Sequence, residues 1–319
     1  MDTLSGRVTG YKKQQAGLGC EDAVFIREGS DCVIMACADG HGDRQCKHAA
    51  RGAELAVRVV CGVLEEFLDQ SEDLEDLGNL LNDHRTMLAQ NTVCQWVEAV
   101  LDDYAVNHPE DSAFARQYET LKAYSRRIYE VRDGSMTSDQ FRRLARYRHT
   151  CENEIYKITL LYGTTLKAAV VCSGFVFAMG IGDGDVIAVN GERMEWLLPC
   201  ASRFGTSPAS LCGNFGNIMD EFYAILVPVT KGRRITDNRF VPELVMLSTD
   251  GLRNAFLSDE EFADKMLEIA ELFKSGRGHT FARNRKRWLE ERSRFSVMQD
   301  DVSFCLCTGH SLKRPKKTR

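Results

Sequence analysis

Carboxylates recur at the ends of apolar runs in this chain. Glu21 and Asp22 stand just before the run 23–26, Asp39 just after 32–38, Asp183 after 175–181 and Asp250 after 244–249, while Asp300 and Asp301 precede 302–307. A carboxylate at the mouth of a buried strand has to be solvated, capped or paired, because burying its charge alone is very costly. Several of them converging at one sheet end would repel one another unless cations lay between them. All-oxygen donors of this kind suit Mg²⁺ or Mn²⁺, whereas zinc would want histidine or thiolate. Each acid taken alone also reads as a turn residue or helix cap, since Asp favours turns; the joint pattern points to metal. Glycine follows Asp39 and Asp250 and flanks Asp183. It permits the close backbone approach that a metal or phosphate site needs, and it also simply makes turns.

The elements that must carry these acids follow from periodicity. Strands are expected over 23–26, 32–38, 166–172, 175–181, 222–227, 244–248 and 302–307. A helix follows the glycine-rich turn, with Cys46, Ala49, Ala53, Val57, Val60, Leu64 and Phe67 on one stripe. An acidic link over 65–83 leads to a helix bearing Val93, Trp96, Val97, Val100 and Leu101. Two more helices are expected over 112–131 and 138–161, another near 259–273, and a helical or irregular segment over 279–292. Strand runs around helix blocks, without βαβ alternation, favour an α+β sandwich in a single domain over 1–312.

Six short motifs, in order, resemble the type 2C metal-dependent serine/threonine protein phosphatases, bacterial members most of all. They are Cys20-Glu21-Asp22-Ala23, Ala38-Asp39-Gly40-His41-Gly42, Gly163-Thr164-Thr165, Ile181-Gly182-Asp183-Gly184, Thr249-Asp250-Gly251-Leu252 and Asp300-Asp301-Val302-Ser303. The resemblance implies a four-layer αββα sandwich, with two central antiparallel sheets and a binuclear Mn²⁺ or Mg²⁺ site at one end. Asp39 would bridge both ions. Asp250 and Asp300 would complete one shell, and the Gly40 carbonyl with Glu21 or Asp22 the other. Two such cations lower the pKa of a shared water, which attacks phosphorus in line without a covalent phosphoenzyme. His41, inside the most distinctive motif, would protonate the departing serine or threonine oxygen. His48, beside Ala49 and Ala50, reads as packing or a surface contact.

The match thins on the substrate side. Many relatives carry a phosphate-binding arginine where this chain has Gly17, which leaves Lys12, Lys13 and Arg7 as candidates. Asp183 would hold a weak third metal, disfavoured by Asn254 where relatives often have an acid. Residues 104–161 form a helical insertion rich in base, including Arg116, Lys122, Arg126, Arg127, Arg132, Arg142, Arg143, Arg146 and Arg148. That is a solvated face or a dock for an acidic or kinase partner. The stretch 199–216 reads as a mobile flap or a plain connection, and the basic tail 313–319 as disordered.

Composition narrows the rest. With 319 residues and 44% hydrophobic content the chain can bury a large core. A net charge of −5 gives no general pull toward nucleic acid or anionic lipid. The early acid at Asp2 does not suit a secretory signal, and the longest apolar stretch, 168–181, falls short of the roughly 20 residues of a membrane span. Twelve scattered cysteines, with Cys32, Cys37, Cys172, Cys305 and Cys307 in apolar runs, read as reduced, buried thiols of a cytoplasmic protein. The expected activity is hydrolysis of phosphoserine and phosphothreonine in proteins. The alternatives are a catalytically weak phosphoprotein-binding module on the same fold, and a dimetal phosphoesterase acting on a small molecule.

Overall fold

Cys32–Ala38 is apolar at every position because both of its faces are covered. Ile34, Ala36 and Ala38 belong to a core under helices, and Val33, Met35 and Cys37 to a core between two sheets. That alternation is the two-residue period of a strand. The structure, a computed structural model, describes residues 2–70, 73–199, 209–229 and 240–309. Residues 200–208 of the expected flap and the tail 313–319 lie outside the described residues.

The strands, in chain order, are β1 (Thr3–Val8), β2 (Ala23–Glu28), β3 (Cys32–Ala38), β4 (Leu166–Cys172), β5 (Phe175–Ile181), β6 (Asp185–Asn190), β7 (Arg193–Trp196), β8 (Tyr223–Pro228), β9 (Leu244–Ser248) and β10 (Val302–Thr308). They make two five-stranded sheets, ordered β1-β10-β9-β6-β7 and β2-β3-β4-β5-β8, in which every strand pair is antiparallel.

The helices are α1 (Tyr11–Gln15), α2 (Ala49–Leu68), α3 (Leu74–Asp83), α4 (Arg85–Asn107), α5 (Ser112–Ser125), α6 (Ile128–Asp133), α7 (Asp139–Arg146), α8 (Arg148–Leu161), α9 (Phe215–Glu221), α10 (Asp250–Arg253), α11 (Asp259–Lys274) and α12 (Gly278–Phe295). One apolar core lies between the β3 sheet and the helices α2 to α9, a second between the sheets, and a third between the β10 sheet and α11 and α12. The result is the expected four-layer sandwich of helices outside two sheets.

Three expectations need correction. The link over 65–83 holds α3, which buries Leu77 and Leu81 despite its acidic surroundings. Each helix expected over 112–131 and 138–161 is two, whereas the segment over 279–292, open between helical and irregular, is helical. Cys32 and Cys172, expected as separate thiols, sit directly opposite one another on β3 and β4 with Cα atoms 4.4 Å apart, and they form a disulfide. The insertion's bases are largely spent locally. Lys122 bonds Asp102 at 2.7 Å, Arg126 bonds Glu98, and Arg132 and Arg148 both reach Glu152. No helix among the described residues is long and apolar enough to cross a membrane.

Candidate active site

The loop that follows β3 is held by the residues that open β4. The Asp39 carbonyl accepts from Thr164 Oγ1 at 2.8 Å and from the Thr165 amide at 2.9 Å, and Thr165 Oγ1 receives the Asp39 amide at 3.1 Å. The His41 amide donates to the Gly163 carbonyl at 3.0 Å. Gly163 is glycine for a steric reason: a Cβ there would stand 2.7 Å from His41 Cδ2 and 3.0 Å from Cys46 Sγ. Gly40 is equally confined, since its Cβ would meet the Glu21 carbonyl at 2.6 Å. The Gly-Thr-Thr motif therefore positions the Asp-Gly-His motif, and neither side chain of Thr164 or Thr165 needs to touch substrate to matter.

Acids from both sheets meet at this end. The Asp39 carboxyl stands beside that of Asp250, so that the two repel when both are ionised, and Asp250 accepts from Asn254 Nδ2 at 2.9 Å. Burial, and then the charges of Asp22, Asp250 and Asp300, push Asp39 well above the usual carboxylate range. Asp250 is pushed up to about 6, by burial and then by Asp183. Asp22 is pushed up to about 7, by burial and then by Asp301. Asp183 is raised too, by burial, with Lys167 and His41 pulling the other way. Burial lowers His41, partly offset by Asp183 and Asp43.

These shifts describe negative charge crowded into a site with too little water to screen it, the situation that divalent cations relieve. Asp22 Oδ2 accepts from Thr249 Oγ1 at 2.9 Å, and the Ser303 hydroxyl stands beside the same buried carboxyl. In kind and in mutual repulsion the donors fit hard cations. They are neighbours rather than a closed shell, for no three His, Cys, Asp or Glu side chains among the described residues are gathered round one point.

Glu21 and Asp300 face a cation supplied by the chain itself. Lys13 Nζ, from α1, lies 2.7 Å from Glu21 Oε2, 2.8 Å from Asp301 Oδ2 and 3.6 Å from Asp300 Oδ1. Burial alone would push this ammonium's pKa down; its bonds to Asp301 and Glu21 outweigh that and hold it above the ordinary lysine value. The buried Asp301 is the anchor, since it also accepts the Gly10 amide at 2.6 Å and the Glu21 amide at 2.7 Å. Of the other two candidate bases, Arg7 donates to the Asp22 carbonyl at 2.8 Å and Lys12 is exposed.

Sequence reasoning gave Asp301 no role of its own and passed over Lys167. That lysine is buried within β4, its stem 2.8 Å from where a Gly180 Cβ would stand and its Nζ bonded to the Gly182 carbonyl at 2.8 Å. A base inside an apolar strand, followed by glycines at 180, 182 and 184, was the available signal. His48 packs against His108 and Tyr162, in keeping with a structural contact.

The family model described as Protein phosphatase 2C matches residues 9–291. Solved structures of similar architecture include the photosystem II phosphatase PBCP, 10% identical with a TM-score of 0.52 over 96% of this chain and 98% of that one. The serine/threonine phosphatase PstP/Ppp of Mycobacterium tuberculosis is 14% identical, with a TM-score of 0.47 over 96% and 97% of the two chains. RsbX, solved in complex with magnesium, is 13% identical, with a TM-score of 0.45 over 95% and 92%. No curated protein sequence matches the chain. With the family model covering nearly all of its length, and with the sandwich and its ordered motifs in place, this chain belongs to the protein phosphatase 2C family and is an enzyme of the serine/threonine phosphatase class.

Proposed function

We propose that this enzyme hydrolyses phosphoserine and phosphothreonine in proteins, in one displacement that depends on Mn²⁺ or Mg²⁺. The observation that carries the reading is the crowding of the buried Asp39 carboxyl by Asp22, Asp250 and Asp300 where the two sheets end. Asp39, the Gly40 carbonyl, Asp250 and Asp300, with Glu21 and Asp22, would hold two ions, and Asp183 a weaker third. Bound there, the ions supply a water activated for in-line attack on phosphorus.

The chain's own residues do the remaining work. Lys13, fixed on Asp301 and Glu21, offers its remaining N–H donor and its charge to the substrate phosphate, taking the part for which Gly17 has no side chain. His41 gives a proton to the departing hydroxyl oxygen. Its lowered pKa makes the protonated ring a stronger acid and a scarcer one. An acidic partner docking on the helical insertion would meet the exposed Arg116, Arg143 and Arg146, because the neighbouring bases are held in ion pairs.

The test is hydrolysis of p-nitrophenyl phosphate and of phosphothreonine peptides with added Mn²⁺, by wild type and Asp39→Asn. Turnover of both substrates that is lost with chelator and in the variant is expected. No metal-dependent turnover by the wild type sinks the reading, and turnover confined to p-nitrophenyl phosphate turns it toward a small-molecule esterase.

A further inference from the structure

Beside His41 lies a cavity of about 350 Å³ for which the reaction has no use. The loop 41–46 forms one wall. The segment 209–221, ending in α9, forms another, and α8 of the helical insertion adds Tyr156 and Leu160 to the lining. Its apolar surface comes from Leu160, Ile181, Ala209 and Ile218, and its acids are Asp43 and Glu221, both exposed at the rim. No lysine or arginine lines it among the described residues. Tyr156, 44% exposed, turns an aromatic ring to the same space.

We infer that this cavity receives a lysine or arginine side chain of the phosphoprotein substrate, close in sequence to the phosphorylated residue. The inference rests on the phosphatase reading above, which puts the departing serine or threonine oxygen against His41. The polypeptide that carries that oxygen then passes the mouth of the cavity. A long basic side chain matches what is there, because its methylene stem can lie on the apolar walls while its head reaches the carboxylates and the ring. An acidic side chain would set a third negative charge beside Asp43 and Glu221. An alanine would leave the cavity to water. The helical insertion thereby acquires a role in substrate choice, through Tyr156 and Leu160, without contributing to the acids that carry out the chemistry.

The experiment measures kcat/KM on phosphothreonine peptides with Arg, Ala or Glu at each of the two positions before and after the phosphothreonine. Wild type, Glu221→Gln and Glu221→Lys are compared, with p-nitrophenyl phosphate as a substrate that carries no basic side chain for the cavity. At one or more positions wild type should favour Arg over Ala by about three- to tenfold and disfavour Glu, the scale of partly exposed charge and cation–π contacts. Glu221→Gln should shrink the preference and Glu221→Lys reverse it, with p-nitrophenyl phosphate turnover unchanged in both. Equal rates for the three residues at every position overturn the inference while leaving the phosphatase reading intact, as does a preference for Arg that survives Glu221→Lys. Loss of all turnover by the wild type overturns the reading of function, and this inference falls with it.

Discussion

Lys13 and Asp301, 288 positions apart in sequence, join ammonium to carboxylate at 2.8 Å beside the acids of the active site. Asp301 is buried and already takes two backbone amides, so it holds the lysine's ammonium in place, where that ammonium also bonds Glu21 at 2.7 Å and lies 3.6 Å from Asp300. Replacing Lys13 by Met should weaken inhibition by inorganic phosphate and raise KM for p-nitrophenyl phosphate by roughly tenfold, in the range of one charged hydrogen bond. Lys13→Arg should restore most of that loss. Unchanged phosphate inhibition in Lys13→Met would reduce the lysine to a counter-charge for the acids.

The pair also marks the boundary of what the sequence discloses. The acids were readable because each abuts an apolar run, and β3, β4, β5, β9 and β10 were readable because both of their faces are buried. β1 was not, since its residues from Thr3 to Arg7 alternate no apolar face and it enters the sheet only by pairing with β10. Asp301 looked like the neighbour of a metal ligand. Its use as an anchor depends on a contact with a five-residue helix near the other end of the chain, and no local spacing encodes that. The Cys32–Cys172 pair was hidden for the same reason, as only the strand register sets the two opposite each other.

Charge crowding gives the metal-free protein a pH dependence with a definite sign. Asp22 and Asp250 have folded-state values near 7 and 6, above those of an unfolded chain, so the folded state binds protons more tightly. That contribution to stability is fully present below about pH 4 and is lost as pH rises through 6 and 7. Thermal melts in chelator should therefore show a lower Tm at pH 8 than the acids' contribution permits at pH 5. Saturating Mn²⁺ at pH 8 should recover several degrees, because ligand at about a hundred times its Kd stabilises by about 2.7 kcal/mol. A Tm in chelator that climbs between pH 5 and 8 would contradict the crowding.

Thr164 reaches Asp39 only through its carbonyl, which makes it a positioning residue. Thr164→Val keeps the shape and removes the 2.8 Å bond, leaving the Thr165 amide as the carbonyl's donor. The expected cost is about 1 kcal/mol of stability, measured by urea unfolding. The lost bond should also slacken the Asp39 loop, so kcat should fall while the inhibition constant of inorganic phosphate, set by Lys13, holds. Equal losses in both would mean that the substitution disturbs the whole site.

The disulfide offers a separate test, remote from the acids. Cys32 lies at the start of β3 and Cys172 at the end of β4, so the bond closes 140 residues that include α2 to α8. Chain-entropy reasoning puts the stabilisation from closing so long a loop at about 5 kcal/mol, with native strain reducing it. Both sulfurs are buried at the far end of the strands from Asp39, so reduction should lower Tm while leaving kcat at 25 °C nearly unchanged. Cys32→Ala should reproduce the low Tm and make it insensitive to reductant. A Tm that responds to reductant in Cys32→Ala as it does in wild type would assign the effect to other thiols, and nine further cysteines lie outside the disulfide among the described residues to supply one.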